Sequence, residues 1–351
     1  MLINKKSLHG GDIYENSVDL DFSVNINPFG MPDAVKNALT DAVSGCCAYP
    51  DPYCTALRHA LSAHENVPYE NIICANGAAE LIYQFAYALP KGKPALVISP
   101  AFCEYESALK AADIGAEYYY LARDDGFALT DRILNVNFSD YSAVFLCSPN
   151  NPTGITVDKA LLYATADSCL SAKTKLFCDF CFLDLSGQPD KYDTSRIIEC
   201  CPNVFILKAF TKSYGMAGVR LGYGMCGDGG FLGRMSAKTQ CWNVSSLAQA
   251  AGVAALGCDE WLLGCVDYIN AERCRISSLL DELGITVYGG EANYLLLHSE
   301  IPLYEKLLSR RILVRDCSNY VGLGDGFVRI AVRSRAENDL LIDNIREIIK
   351  K

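Results

Sequence analysis

Runs of strand-forming residues recur at 72–74, 95–99, 143–147, 175–179 and 204–207, and their centres are continuously apolar rather than alternating. Continuous runs of that length are the pattern of strands covered on both faces. Between most of them lie stretches with helical spacing, at 80–89, 104–112 and 158–170. Such alternation predicts an α/β fold with a mainly parallel central sheet flanked by helices. In that architecture functional groups gather at the carboxyl ends of the strands.

Beyond about Gly230 the pattern changes to longer helical segments at 230–240, 245–257 and 260–283. Short strands follow at 293–298, 312–315 and 328–332, with a terminal helix from Ala336. The first thirty residues are rich in Gly, Asn and Pro and carry no regular period. The expected organisation is an N-terminal arm (1–30) lying with the small domain, a large domain (31–235) and a smaller α+β domain (236–351).

A chain of 351 residues with 50% apolar content can bury a substantial core. Its net charge of -10 and pI near 5.0 argue against nucleic-acid and membrane-surface partners, which need a concentrated positive field. A small anionic substrate held by a few converging arginines remains open. No long apolar stretch follows Met1, and the most apolar helical segment, 247–256, is too short for a membrane span, so a cytoplasmic protein is expected. The 17 cysteines are odd in number and scattered through apolar segments, as reduced thiols packed like small hydrophobes would be. Cys178 and Cys181 form one C-x-x-C without a second pair or a histidine pair, so no metal site is expected.

Chemistry-bearing motifs follow the predicted strands one after another. Asn76-Gly77-Ala78-Ala79-Glu80 opens a helix, where free N–H groups can face a phosphate; a glycine there is also an ordinary turn. Phe102 follows the run 95–99 and could stack on a planar ring or simply fill the core. The turn-rich string Ser148-Pro-Asn-Asn-Pro-Thr-Gly154 presents side-chain amides after the run 143–147. Asp179 ends an apolar strand, where a carboxylate needs a cationic partner to stay ionised. Lys212 follows the run 204–207, and a lysine among apolar groups and near another cation becomes an amine nucleophile; a lone loop lysine is more often solvated. Gly222-Tyr-Gly-Met-Cys-Gly227 fits G-x-G-x-x-G, but no acidic residue caps a second strand about 20 residues on, so it is read as a strand and turn and not as a dinucleotide site.

Taken together, Asn150-Asn-Pro-Thr-Gly154, a lone Asp179 and Thr211-Lys212 with Arg220 eight residues on resemble the fold type I aminotransferase superfamily, whose cofactor is pyridoxal 5'-phosphate. The resemblance spans essentially the whole chain. It implies that Lys212 forms the Schiff base, Asp179 pairs with the pyridine nitrogen, Asn151 bonds the phenolic oxygen, and Phe102 stacks on the ring. Phe182 stands where many relatives carry a tyrosine. Gly77, Ala78 and Arg220 match the phosphate cradle, and Thr211 is the expected substitute for the common serine that Ala209 replaces. Tyr49 matches a tyrosine that reaches the neighbouring subunit's phosphate, implying a homodimer with shared sites.

Two further blocks, His9-Gly-Gly-Asp with 22–30 and 312–320 with 328–333, resemble the L-threonine-O-3-phosphate decarboxylases of cobalamin biosynthesis, relatives of histidinol-phosphate aminotransferases. That resemblance implies a PLP-dependent carboxy-lyase with a small phosphorylated amino-acid substrate. His9, Asn27, Arg315 and Arg329 are the expected substrate contacts, with Arg333 a solvated charge. The competing expectations are an amino-acid aminotransferase and a non-catalytic PLP-binding protein.

Overall fold

The computed structural model describes residues 10–350. A seven-stranded sheet runs in the order Ile72–Ala75, Gly222–Cys226, Val204–Ala209, Lys175–Asp179, Ala143–Cys147, Ala95–Ser99, Ala116–Tyr120. Gly222–Cys226 is antiparallel to both neighbours, and every other pairing is parallel. Successive residues of each apolar run feed opposite layers: Leu96, Val144, Leu176 and Ile206 face one core, Val97, Phe145, Phe177 and Phe205 the other. The unbroken apolar runs thus reflect helices on both faces of the sheet. Ala116–Tyr120 escaped the sequence reading because it is a half-exposed edge strand carrying Glu117 and three tyrosines.

The glycines of Gly222–Cys226 have a packing role. A Cβ on Gly224 would lie 2.1 Å from the Phe205 ring, and one on Gly222 would lie 2.5 Å from the Ala78 nitrogen. Gly222 therefore lets this strand press against the turn at Gly77 and Ala78, while Gly224 leaves room for the Phe205 ring.

A second, antiparallel sheet orders Arg315–Asp316, Phe327–Ala331, Tyr294–His298 and Thr286–Tyr288. The expected strand at 312–315 is divided between two partners. Ile312–Leu313 pairs in parallel with Leu20–Asp21 of the arm, while Arg315–Asp316 joins the four-stranded sheet. Phe22 is fully buried in the small sheet's apolar cluster with Ile269, Leu295, Val328 and Leu341. Helix Arg335–Ile349 closes this unit, its start fixed by a capping box between Ser334 and Glu337.

Packing against the large sheet continues past residue 235. Helix Ser246–Ala255 lies on helices Asp33–Ala42 and Thr55–Glu65, and Val244, Ala248, Ala251 and Ala255 belong to the same apolar layer as Leu57 and Leu61. Among the described residues no helix is long and apolar enough to cross a membrane, and no group of three or more His, Cys, Asp or Glu side chains could hold a metal ion.

Candidate active site

One cavity opens at the carboxyl ends of the central strands. Asp179 ends its strand there, Lys212 sits on the short helix Phe210–Ser213 that follows Val204–Ala209, and Asn151 and Phe102 come from the loops after Ala143–Cys147 and Ala95–Ser99. Ala78, Phe182, Thr211 and Arg220 complete this side. Arg315, Tyr320 and Arg329 enter from the small sheet, and Ser23 and Asn25 from the arm.

Burial pulls the Lys212 amine down to about 8, with the Arg329 and Arg220 charges adding to the shift. A minority of the amines, far more than for an ordinary lysine, is then neutral and nucleophilic near physiological pH. Its Nζ stands 5.9 Å from the centroid of the Phe182 ring. Asp179 is 6% exposed, and burial pushes its carboxyl above the usual range against the opposing effect of its hydrogen bonds. Those bonds come from neutral donors: the Tyr105 hydroxyl at 2.6 Å from Oδ2 and the Cys181 N–H at 2.9 Å from Oδ1.

At the start of helix Ala78–Ala88 the chain turns through Gly77 at φ +83°, and the Glu80 carboxylate accepts from the Asn76 N–H. A Cβ on Gly77 would meet Arg220 Nη2 at 2.6 Å, so the guanidinium fills the space that the glycine leaves. Arg220 donates from Nη1 to the Ala217 carbonyl at 3.1 Å. A helix start and a guanidinium on one spot make a phosphate cradle.

On the opposite wall Asn151 Oδ1 accepts from Arg329 Nη1 and from the Tyr320 hydroxyl. Arg329 Nη2 also donates to the Ser23 carbonyl at 2.8 Å, which ties the arm to the site. Arg315 donates to Asn319 Oδ1 at 2.9 Å and to the Asp316 carbonyl, and lies 5.2 Å from the Tyr320 ring centroid. Arg315 and Arg329 are register partners in adjacent antiparallel strands and are only 7% and 5% exposed. Like charges directly opposite each other destabilise a sheet unless something anionic offsets them. Arg333, by contrast, is half-buried and pairs with Glu337 at 2.8 Å.

Two expected site residues lie away from this chain's cavity. Asn27 does not line the cavity: its amide donates to the Ser213 carbonyl at 2.8 Å and its Oδ1 accepts from the Phe29 N–H. Both of its ends are thus spent on fixing the arm to the loop beside Lys212. Tyr49 is 79% exposed and stacks on Trp242 at 4.5 Å, away from its own chain's cavity. His9 lies outside the described residues. Conversely, sequence reasoning passed over Asn25, Tyr320 and Tyr105. For Tyr105 a signal was available, since it stands three residues after Phe102 at the start of a helix, where such neighbours share a face.

Residues 17–345 match the profile of the aminotransferase class I and II family, and the chain belongs to that family. It is similar to the threonine-phosphate decarboxylase of Salmonella typhimurium, 38% identical with 98% of this chain and 97% of the relative covered. Histidinol-phosphate aminotransferase 1 of Bacillus cereus is 30% identical, with 93% of this chain and 88% of the relative covered. Among solved structures, the histidinol-phosphate aminotransferase from Clostridium acetobutylicum superposes with a TM-score of 0.89 at 26% identity, covering 94% of this chain and 99% of that one. The fold is therefore fold type I, and the cofactor is pyridoxal 5'-phosphate.

The residues present fit that cofactor. A buried carboxylate whose hydrogen bonds come from neutral donors suits a protonated ring nitrogen, the Gly77 and Arg220 cradle suits its phosphate, and a depressed lysine suits its aldehyde.

Proposed function

We propose that the chain decarboxylates L-threonine O-3-phosphate to aminopropanol phosphate and CO2, a step of cobalamin biosynthesis. The observation that carries this reading is the register pair Arg315 and Arg329, two buried guanidiniums facing the cavity that holds Lys212. Two cations side by side suit a substrate with a carboxylate at one end and a phosphate at the other. The 38% identical relative carries the name of that activity.

Pyridoxal phosphate bound here supplies an electron sink for a bond broken at the substrate Cα. In this reading Arg220, Gly77, Ala78 and Thr211 would hold its phosphate, Phe102 would stack on its ring, Asn151 would bond its phenolic oxygen with Phe182 beside it, and Asp179 would keep its nitrogen protonated. Lys212 would be its attachment point, and its amine, when free, would carry the proton for return to Cα. Arg329 and Arg315 would bind the anionic ends of the substrate and so set the direction of its Cα–carboxylate bond. The geometry of that bond, not the identity of the catalytic groups, decides between CO2 loss and transamination.

The reading includes a cytoplasmic homodimer with shared sites. The exposed Tyr49, stacked on the exposed Trp242, supports it, because such a pair suits a partner-facing surface better than water. We also divide the chain into an arm (1–30), a large cofactor-binding part from residue 31 and a small C-terminal part. Packing of helix Ser246–Ala255 favours moving the division between the last two from 235 to the start of helix Asp259–Glu282.

A second reading, an aminotransferase acting on histidinol phosphate, is favoured by the 30% identical relative and the same cofactor residues. Incubating the holoenzyme with L-threonine O-3-phosphate and trapping CO2 separates the two. Absence of CO2, with conversion of the cofactor to pyridoxamine phosphate by histidinol phosphate, would replace the first reading with the second.

A further inference from the structure

Tyr105 joins the two groups that would hold the cofactor ring. Its hydroxyl donates to Asp179 Oδ2 at 2.6 Å, while its ring meets Phe102 edge-on with centroids 6.0 Å apart. The side chain is fully buried and wedged against Phe145 and Phe177, at 5.4 and 5.9 Å, so the hydroxyl has one fixed direction. It lies at the start of helix Glu104–Ala111, whereas Asp179 ends a strand two positions away in the sheet. The bond thus crosses from one wall of the cavity to its floor.

A hydrogen-bond donor on a carboxylate lowers its proton affinity. Asp179 and a pyridine nitrogen share one proton, and burial alone would favour the neutral pair, with the proton on Asp179. A short O–H donor on Oδ2 works against that, stabilising the carboxylate and leaving the proton on the ring side. The Cys181 N–H does the same from Oδ1.

We propose that Tyr105 is a positioning residue acting through Asp179: its hydroxyl fixes the carboxylate's orientation and keeps the shared proton on the cofactor's ring nitrogen. This rests on the assignment of Asp179 to the pyridine nitrogen made above. A purely structural tyrosine would serve equally well without its oxygen, because the ring fills the same space in phenylalanine. The hydroxyl is the part under test.

The experiment compares wild-type, Tyr105→Phe and Asp179→Asn holoenzymes reconstituted with ring-nitrogen-15 pyridoxal phosphate, read by NMR. In wild type the ring nitrogen should resonate as protonated, and in Asp179→Asn as unprotonated. Tyr105→Phe should shift the resonance toward the Asp179→Asn position and raise the cofactor dissociation constant by about tenfold or more, the scale of losing a hydrogen bond to a charged group. A Tyr105→Phe resonance coincident with wild type overturns the proposal and leaves the Asp179 assignment standing. An unprotonated nitrogen in wild type overturns both. Should Tyr105→Phe retain no cofactor, carbon-13 titration of Asp179 in the cofactor-free proteins decides: a higher pKa in the variant supports the proposal, and an unchanged one overturns it.

Discussion

Gly77 and Arg220 occupy one volume: a single methyl group on the first would sit 2.6 Å from Nη2 of the second. Gly77 also holds φ +83° and ψ 162°, a region that side chains rarely adopt. Gly77→Ala should therefore displace Arg220 and disturb the helix start together. The expected result is at least about a tenfold weaker affinity for pyridoxal phosphate, on the scale of one lost charge-assisted hydrogen bond. Equilibrium dialysis against the free cofactor measures it, and an unchanged affinity would remove Gly77 from the cradle.

The amine of Lys212 attacks only when neutral. Because its folded pKa is about 8 instead of 10.5, the rate at which cofactor-free protein takes up pyridoxal phosphate should climb with pH and level off above about 8. An unperturbed lysine would keep gaining up to about 10.5. The visible absorbance of the lysine-bound cofactor follows the rate, and Lys212→Ala should never develop it.

Behind the site, Lys208 is buried between Glu65 and Asp184, with Nζ at 2.9 and 3.0 Å from their oxygens, and Tyr223 donates to Glu65 at 2.5 Å. Burial works against the Lys208 charge, but the two carboxylates outweigh it and raise its pKa, while Lys208 and its neighbours hold Glu65 well below the usual 4.5 against the cost of burial. Lys208→Met strands these carboxylates and should cost about 3–5 kcal/mol in urea unfolding at neutral pH. The sign with pH follows from Glu65. Its lowered pKa gives stability that is present above 4.5 and lost in acid as pH falls through the folded value, so the deficit of the variant should shrink below about pH 4.5.

Arg329 holds Asn151 and the Ser23 carbonyl while facing the cavity. Arg329→Lys keeps the charge and loses the planar fork. Steady-state kinetics should show kcat/KM for L-threonine O-3-phosphate lower by at least about tenfold, because a bidentate contact cannot be remade by an ammonium. An equal kcat/KM would place the substrate carboxylate elsewhere.

Much of this site could be read from the chain because it is sequential: Asp179 ends a strand, Gly77, Phe102, Asn151 and Lys212 each follow one, and a parallel sheet collects strand ends on one edge. What could not be read depends on pairing and on side-chain direction. That Arg315 stands opposite Arg329 is a matter of strand register, set by contacts some 14 residues apart in the chain. Asn25 and Asn27 share one motif, yet only Asn25 lines the cavity, because a hydrogen bond to Ser213 claims Asn27. The edge strand Ala116–Tyr120 lacked the apolar signature because one of its sides meets water.

The central claim, that these residues direct bond breaking to the carboxylate, is tested most directly by turnover of L-threonine O-3-phosphate in deuterated water with mass analysis of the product. The account requires one CO2 per substrate and aminopropanol phosphate carrying a single solvent deuteron at the former Cα. Appearance of the 2-oxo acid with pyridoxamine phosphate, and no CO2, would contradict it.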